Sequence, residues 1–287
     1  MNCIATMVLV MAFLMPSFAF GDTIGYVVAM DGISTIDRRQ TTLVTEVGME
    51  IEESDWIRTG DSTKVKIILN DGSVISLGPR VKMAMERFAA SEKKSEAKNY
   101  MKLLSGTVRF WVGSLFKKRS FVVTTPTAVA GVRGTHFVMQ TFPEEDKTSV
   151  TTITGEVIVS LSTSEELFSE DGGRAEVEGK DVAFVPAGKE LEISANDKEV
   201  KNKKAKKYDK KRIKELLQET YIPLTLESFR KFNGMWIGGA TVGLTPSEYN
   251  SRGSAPLSAI EALENEFGVN RPMGEDLAPQ RGTLINY

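Results

Sequence analysis

Apolar and polar residues alternate along most of the chain in short runs that are interrupted by Gly, Asp-Gly and Pro. In the run 64–70, for example, Val65, Ile67 and Leu69 share one face. Such alternation is typical of half-buried β-strands, and the interrupting residues are typical of turns. The pattern predicts an all-β domain with these inward side chains: Val65, Ile67, Leu69, Ile75, Leu77, Val108, Phe110, Val112, Val122, Val132, Phe137, Val157 and Val159.

The arrangement of the strands is less tightly constrained by the sequence. A glycine followed by a short β run recurs at Gly72, Gly106, Gly155 and Gly179, but the spacing is uneven. Uneven spacing excludes a strict repeat array and leaves an irregular β-solenoid or a β-sandwich. The alternating runs predict strands at 23–29, 64–70, 74–77, 103–112, 121–123, 129–139, 150–161 and 181–186, and either a helix or a polar hairpin at 83–100.

The N-terminus has the features of a secretory signal peptide. Residues 1–21 contain no charged side chain, and residues 4–15 form a nearly unbroken apolar run. Ala19 and Gly21 place small residues at the −3 and −1 positions of a cleavage point before Asp22. The alternative is an uncleaved anchor, but a membrane-spanning helix needs about 20 apolar residues. We therefore expect an exported protein with no transmembrane segment after cleavage.

The composition changes after the alternating region, so it predicts three segments that follow the signal peptide. We expect a β domain at 22–192, a basic linker at 193–214 and a partly disordered segment at 215–287. The linker contains nine basic residues and one acid, Asp209, between Lys201 and Lys214. The last segment is rich in Ser, Pro, Gly and Asn, with one helix candidate at Pro256–Phe267 and a glycine-rich apolar stretch around Trp236. Such a segment can become ordered on a partner.

The composition also excludes several kinds of chemistry. Cys3 is the only cysteine, so the mature chain has no disulfide, zinc-thiolate cluster or thiol nucleophile. The net charge of −2 gives no global field that favours nucleic acid. His136 is the only histidine, and we expect it to be structural because a metal site needs several ligands. No cofactor is expected.

Three short motifs stand out within the predicted β domain. Each combines a turn-forming residue with a residue that can hydrogen-bond the backbone, and they are Asp71-Gly72-Ser73, Thr125-Pro126 and Arg133-Gly134-Thr135. Glycine permits a positive φ, and proline forces the preceding residue into an extended conformation. We interpret all three motifs as structural.

Arg133 invites a more specific interpretation, because a guanidinium can bind a carboxylate or backbone carbonyls through two parallel hydrogen bonds. We expect it to tie its turn to a neighbouring strand, for instance through Asp55 or Asp61.

Together these motifs resemble the FecR family. The Thr-Pro and Arg-Gly-Thr motifs occur in the order that is typical of the family, with further matching stretches at 59–79, 106–112, 155–159 and 185–188. The resemblance covers roughly residues 25–190 and implies a periplasmic signal-relay or envelope domain of Gram-negative bacteria. FecR itself relays a signal from an outer-membrane receptor to a cytoplasmic sigma factor. This chain has a signal peptide where the relay protein has a cytoplasmic helical region and a membrane span.

Partner-binding residues are predicted outside the motifs. Trp236 and the lysines of the basic linker, namely Lys203, Lys204, Lys206 and Lys207, are candidates for contact with a partner. Lysine clusters can bind anionic envelope polymers, although a solvated linker has the same composition. Trp56 and Trp111 lie within β runs and are expected to pack in the core.

The resulting hypothesis is a non-enzymatic, periplasmic FecR-like module for protein binding, scaffolding or signalling. Its partner would be a periplasmic or outer-membrane protein, with peptidoglycan or an anionic envelope polymer as a second class. The alternatives are an adhesion or assembly protein that is secreted or associated with the outer membrane, and a wall-active enzyme that uses paired carboxylates.

The signal-peptide prediction can be tested directly. N-terminal sequencing and the intact mass of protein from the envelope fraction are expected to show a chain that begins at Asp22. A chain that keeps residues 1–21 and fractionates with membranes would instead support an uncleaved anchor.

Overall fold

The computed structural model describes residues 23–88, 98–112, 120–132, 134–162 and 181–222. These residues form seventeen β-strands, one 3-10 helix and one α-helix, so the prediction of an all-β fold is confirmed. The predicted signal peptide, Trp236 and the predicted helix at 256–267 lie outside the described residues.

The strands are numbered in chain order. They are β1 Thr23–Asp31, β2 Ser34–Arg38, β3 Thr41–Val44, β4 Glu50–Glu52, β5 Trp56–Thr59, β6 Lys64–Leu69, β7 Val74–Leu77, β8 Lys82–Arg87, β9 Lys98–Trp111, β10 Ser120–Thr124, β11 Ala128–Val132, β12 His136–Phe142, β13 Lys147–Thr154, β14 Glu156–Leu161, β15 Ala183–Pro186, β16 Lys189–Ser194 and β17 Lys206–Lys207. The 3-10 helix spans Pro143–Glu145, and the α-helix, α1, spans Lys210–Thr220.

The strand pairings form two sets that are joined through β9. The first sheet has the order β4, β1, β6, β7, β9, β12, β13, β16, β17. The second sheet has the order β3, β2, β5, β8, β9, β10, β11, β14, β15. All of these pairs are antiparallel except β9 with β10, which is parallel.

A glycine allows β9 to serve both sheets. Residues 98–105 of β9 pair with β8 and β10, whereas residues 106–111 pair with β7 and β12. Gly106 lies at the junction with a φ of +88°, and a Cβ added there would lie 2.9 Å from the Cα of Val81. Because side chains rarely tolerate this left-handed conformation, glycine is required where the strand passes between the sheets.

One hydrophobic core receives side chains from both sheets. The ring of Phe110 stacks on Phe137 with centroids 5.0 Å apart and meets Phe121 edge-on at 6.4 Å. Phe110 and Phe137 belong to the first sheet and Phe121 to the second, so the inner faces of the two sheets meet in this core. All of the predicted core residues except Val122 lie in it.

Val122 is buried on the opposite face of the second sheet. It packs there with Val129 and with the half-buried Tyr100 and Ile158. The reason is the two-residue period of a strand, because Phe121 and Val123 on either side point into the core. Three consecutive apolar residues do not reveal which of them faces inward.

Three other predicted elements differ in the structure. The run 129–139, predicted as one strand, is divided into the end of β11 and the start of β12, which lie in different sheets. The run 150–161, predicted as one strand, is divided at Gly155, which has a φ of +83°. Its two parts, β13 and β14, lie in different sheets. In the stretch 83–100, residues 83–87 belong to β8 and residues 98–100 begin β9, so no helix forms in the described parts of this stretch.

Helix α1 covers part of the outer face of the first sheet. Asp209 caps its N-terminus by accepting a hydrogen bond from a backbone N–H of the first turn at 2.7 Å. Ile213, Leu216 and Leu217 are buried against Val138 and a neighbouring strand. Within the described ranges, no helix is long and apolar enough to cross a membrane.

Two lysines of β6 bind the C-terminal end of α1. The Nζ of Lys64 donates to the carbonyl of Gln218 at 2.6 Å, and the Nζ of Lys66 donates to the carbonyl of Ile222 at 2.7 Å. The last carbonyls of a helix lack partners within the helix and carry partial negative charge. This argument applies to Gln218, whereas Ile222 lies two residues beyond the helix, so Lys66, which is only 3% exposed, is stabilised in its buried position by the segment that follows α1.

The segment 193–214, predicted as a basic linker, is packed into the fold at several points. Ile193 and Val200 are fully buried in the common core. The carboxylate of Asp181 accepts hydrogen bonds from the backbone N–H groups of Val200 and Lys201 at 2.8 and 2.9 Å. Few apolar residues occur here, but each of these two fills a core position. The domain boundary at residue 192 remains a prediction.

Arg38 is the centre of an ion-pair network that joins the β2–β3 hairpin to the β4–β5 connection. Its Nε and Nη2 donate to the two carboxylate oxygens of Asp55 at 2.8 and 2.7 Å, and its Nη1 donates to Glu52 at 2.8 Å. Asp55 is fully buried and also accepts the backbone N–H of Glu52. The hydrogen bonds to Asp55 raise the pKa of Arg38 above its ordinary value.

We expect the Asp55→Asn variant to lose about 3–5 kcal/mol of unfolding free energy in urea, because it removes one partner of a buried ion pair. The matched control is Asp61→Asn, because Asp61 is 86% exposed and lies 3.9 Å from Arg80. The control is expected to change stability by less than about 0.5 kcal/mol. Equal losses in both variants would show that the network does not stabilise the fold.

Candidate functional site

The Asp71-Gly72-Ser73 motif forms the turn between β6 and β7. Oδ1 of Asp71 accepts the backbone N–H of Ser73 at 2.9 Å, and Oδ2 accepts the side-chain amide of Asn99 at 2.9 Å. Gly72 has a φ of +79°. Since Asp71 and Asn99 are both buried, this carboxylate holds the turn against the start of β9.

The Thr125-Pro126 motif begins the turn between β10 and β11. The hydroxyl of Thr125 accepts the backbone N–H of Ala128 at 2.9 Å and lies 2.9 Å from the hydroxyl of Thr148. The hydroxyl of Thr127 donates to the same Thr148 hydroxyl at 2.7 Å. These three threonines are buried, whereas Pro126 is exposed. The motif therefore anchors its turn on β13.

The described part of the third motif contacts the β13–β14 turn. Gly134 has a φ of +61°, and the hydroxyl of Thr135 donates to the carbonyl of Glu156 at 3.2 Å. A Cβ added to Gly155 would lie only 3.0 Å from the Thr135 hydroxyl. Close packing of two turns explains the glycine and the small hydroxyl residue at these positions.

Arg133 lies outside the described residues, but both acids proposed as its partners have other arginines beside them. Asp55 pairs with Arg38, and Asp61 lies beside Arg80. The structure therefore gives no support to an Arg133 pair with either acid, and the role of Arg133 remains a prediction.

The three motifs do not converge on one site. Val74, directly after the first motif, pairs with Trp111, which pairs with His136, directly after the third motif. Thr148, which contacts the second motif, pairs with Thr141, five residues along β12 from His136. At about 3.4 Å per residue this separation is ~17 Å. The first and third motifs therefore lie at one end of the strands, and the second motif lies near the other end.

His136 is completely buried on the outer side of the first sheet. Neither ring nitrogen has a hydrogen-bond partner among the residues that the structure describes. Burial lowers its pKa to about 3, and the nearby charge of Arg109 acts in the same direction. The ring is therefore neutral at neutral pH. In the described ranges, no three His, Cys, Asp or Glu residues are grouped closely enough to hold a metal ion.

The lysines that were predicted to contact a partner differ in their surroundings. Lys203 donates to the carbonyl of Glu192 at 2.9 Å and forms an ion pair with Asp197, so it holds the local structure. Lys204, Lys206 and Lys207 are exposed. In the pairing of β16 with β17, Lys207 lies opposite Lys189, and like charges in that position repel each other. An anion that bound there would relieve this repulsion.

Both tryptophans in the described residues point away from the core, so the prediction that they pack in it is wrong. Trp56 is half-buried, and the Nζ of Lys82 lies 5.3 Å from the centroid of its ring. Ile57 and Phe110, the neighbours of the two tryptophans, are the fully buried residues. In each strand, the alternation places the tryptophan on the outer face.

Comparison with protein families shows what the motifs have in common. Residues 55–158 match the model of a family described as FecR protein. The chain contains a FecR domain. The match begins at the buried Asp55 and includes all three motifs, so the resemblance predicted from those residues is confirmed.

Part of the chain is also similar to solved structures. Two crystal structures of a proposed anti-sigma factor from Parabacteroides distasonis ATCC 8503 match with 18% sequence identity and a TM-score of 0.42. The similarity covers 57% of this chain and 64% of that chain. The search of curated proteins gave no match.

Sequence reasoning missed one exposed feature that lies before the FecR match. In the described part of the chain, the exposed large apolar side chains are Ile33 and Val44, at 74% and 66% exposure. Val44 ends β3, which is the last strand of the second sheet. Only the short run Thr41–Val44 indicates this strand in the sequence, and a four-residue run does not predict an edge.

The buried histidine of the FecR domain predicts how stability depends on pH. Because its folded-state pKa of about 3 lies below the ordinary 6.5, the unfolded chain binds the proton first as the pH falls. The free energy of unfolding is therefore expected to fall, by up to about 1.4 kcal/mol per pH unit, between pH 6.5 and 3, and to be unaffected by this group above that window.

Urea unfolding of the wild type and of His136→Leu at about pH 7, 5.5 and 4 measures this effect. Carboxylates titrate in both proteins, so the difference between the two curves isolates the histidine. We expect the variant to lose less stability than the wild type as the pH falls. Parallel curves would mean that the pKa of the histidine is the same in the folded and the unfolded protein.

Proposed function

We propose that this protein is a non-enzymatic FecR-domain module of the cell envelope that acts by binding another protein in signalling or scaffolding. The observation that carries the proposal is the use of the motif residues within the fold. Asp71, Thr125 and Thr135 are buried, and each forms hydrogen bonds to neighbouring turns or strands. A catalytic group must be able to reach its substrate, and these side chains are engaged in holding turns.

The same reasoning supports a scaffold with two β layers. Side chains of both sheets contribute to one core, which favours a β-sandwich over a solenoid. Such a scaffold offers its edges, its outer faces and its connecting loops for binding. Export to the periplasm rests on the N-terminal sequence, and a partner in the periplasm or the outer membrane follows from that location.

Exposed charge favours a second class of partner. Lys204, Lys206 and Lys207 are exposed, and Lys189 faces Lys207 across the edge of the first sheet. This surface suits an anionic envelope polymer. Trp236 and the segment 215–287 are proposed as a further binding element, based on their apolar and glycine-rich composition.

Photo-crosslinking in intact cells tests the proposed function. The full chain is produced in its own organism with a photoreactive amino acid at one exposed position at a time, among them Gln40, Asp61 and Lys206. We expect at least one position to give a discrete adduct with a different protein, which mass spectrometry identifies. Adducts of the protein with itself are scored separately and do not count.

Two controls make the result decisive. Protease treatment removes a protein adduct, whereas a polydisperse adduct that resists protease but is shortened by a wall-degrading enzyme identifies a polymer partner. A Lys206→Glu, Lys207→Glu variant is expected to lose the polymer adduct and to keep a protein adduct formed from a distant position. No adduct of either kind at any position would contradict the proposal.

A further inference from the structure

The strand β3 presents unused backbone groups at the edge of the second sheet. It pairs with β2 alone. The N–H of Thr45 donates to the carbonyl of Ser34 at 2.9 Å, and this bond identifies which residues of β3 direct their backbone groups towards β2. In an antiparallel pair, alternate residues point their N–H and C=O groups towards the partner strand. Leu43 therefore faces β2, and Thr42 and Val44 direct both groups outward. No other strand in the described part of the chain pairs with them.

This edge lacks the protection that other edges of the molecule have. Exposed edges are usually protected by lysine, proline or a bulge. The edge strand β17 consists of Lys206 and Lys207, and the edge strand β15 ends at Pro186. The sequence of β3 is Thr-Thr-Leu-Val, with no charge and no proline, and Val44 is 66% exposed. β3 is thus suited to pairing with another strand.

The edge is also held in place before any partner binds. Arg39 and Gln40 form the turn with φ values of +48° and +69°, as expected of a two-residue hairpin. The hydroxyl of Thr42 donates to Asp37 at 2.7 Å, and Arg38 next to the turn is bound to Asp55. Little conformational entropy therefore remains to be lost when β3 pairs with another strand.

We propose that β3 pairs in the antiparallel direction with β3 of a second copy of this chain, around a twofold axis at Leu43. In this register Leu43 lies opposite the partner's Leu43, and Thr42 lies opposite the partner's Val44. The outward groups of Thr42 and Val44 then form four N–H···O=C bonds, two on each side of the axis. The inference goes beyond the proposed function and does not depend on it.

Side chains and charges favour a second copy over an unrelated peptide. The half-buried Leu43 meets the partner's Leu43, and the methyls of Val44 lie beside the methyl of the partner's Thr42. In the same register Gln40 lies opposite the partner's Glu46, which is exposed, and Arg39 is the next residue of the turn. Arg39 pairs with Glu52 at 2.7 Å, but its side chain is 50% exposed, so its charge also attracts the partner's Glu46. The axis repeats this contact at both ends of the paired strands. A peptide without this sequence would satisfy the backbone groups but not these side-chain contacts.

The contact involves about five residues from each copy, far less area than the roughly 1,200–2,000 Å² of a standard stable interface. We therefore expect a weak dimer, which sedimentation equilibrium of the full chain over a wide concentration range detects. Thr42→Pro removes an N–H that the single copy does not use, and Val44→Lys places a charge at the contact. Each is expected to raise the dissociation constant at least tenfold.

Ile33→Lys is the matched control, because Ile33 is equally exposed but precedes β2, on the side of β3 away from the partner. This variant is expected to leave the dissociation constant within about twofold. If the copies instead associated through any exposed apolar side chain, Ile33→Lys would also weaken the dimer. Circular dichroism checks that each variant is folded.

A cysteine crosslink tests the register. In a Cys3→Ser background, Leu43→Cys is expected to give a covalent dimer on mild oxidation, because opposite residues of a non-hydrogen-bonded pair have Cα atoms about 4.5 Å apart, within the range of disulfides. Ile33→Cys in the same background is the control and is expected to stay monomeric. The proposal is wrong if the wild type is monomeric at all concentrations, even if another protein is found to crosslink near β3 in cells. It is also wrong if both cysteine variants crosslink equally.

Discussion

The two sheets depend on β9, which satisfies backbone hydrogen bonds in both of them. A strand can change sheets only where its backbone turns sharply without losing its neighbours, and Gly106 provides that point next to Val81. On one side of the glycine, β9 pairs with β8 and β10, and on the other side with β7 and β12. The two sheets face each other because of this single crossing, and it brings Phe121 of the second sheet edge-on to Phe110 of the first.

Polar residues of the FecR domain also hold the strands in place, because they fix the turns. Strands that are this short give few hydrogen bonds each, so the turns between them must be fixed by side chains. Asp71 fixes the β6–β7 turn to β9, and Thr125 fixes the β10–β11 turn to β13. Each of these two family motifs therefore binds its turn to a strand from elsewhere in the fold. This is why the motifs lie far apart.

Much of the fold could be predicted from the sequence, because alternation of residues such as Val65, Ile67 and Leu69 directly reports a buried face. The face could not be predicted where apolar residues are consecutive, as at Val122, or where a large aromatic residue precedes an aliphatic one, as at Trp56. Helix α1 was predictable in principle from the cap Asp209 and the spacing of its buried residues, but its high lysine content suggested a linker. The pairing partners of the strands could not be predicted, because they depend on contacts between residues far apart in the sequence. The free edge at β3 could not be predicted for the same reason.

The attachment of α1 to β6 has a consequence for how the molecule forms. Lys64 and Lys66 meet carbonyls that lie 154 and 156 positions later in the chain. Contacts between such distant residues form slowly, because the entropy cost of closing a long loop comes before the favourable energy of the contact. Folding of the first sheet is thus completed only after nearly all of the described chain is available. During synthesis, a chain that still lacks its last described residues is therefore incompletely folded and unfolds more easily.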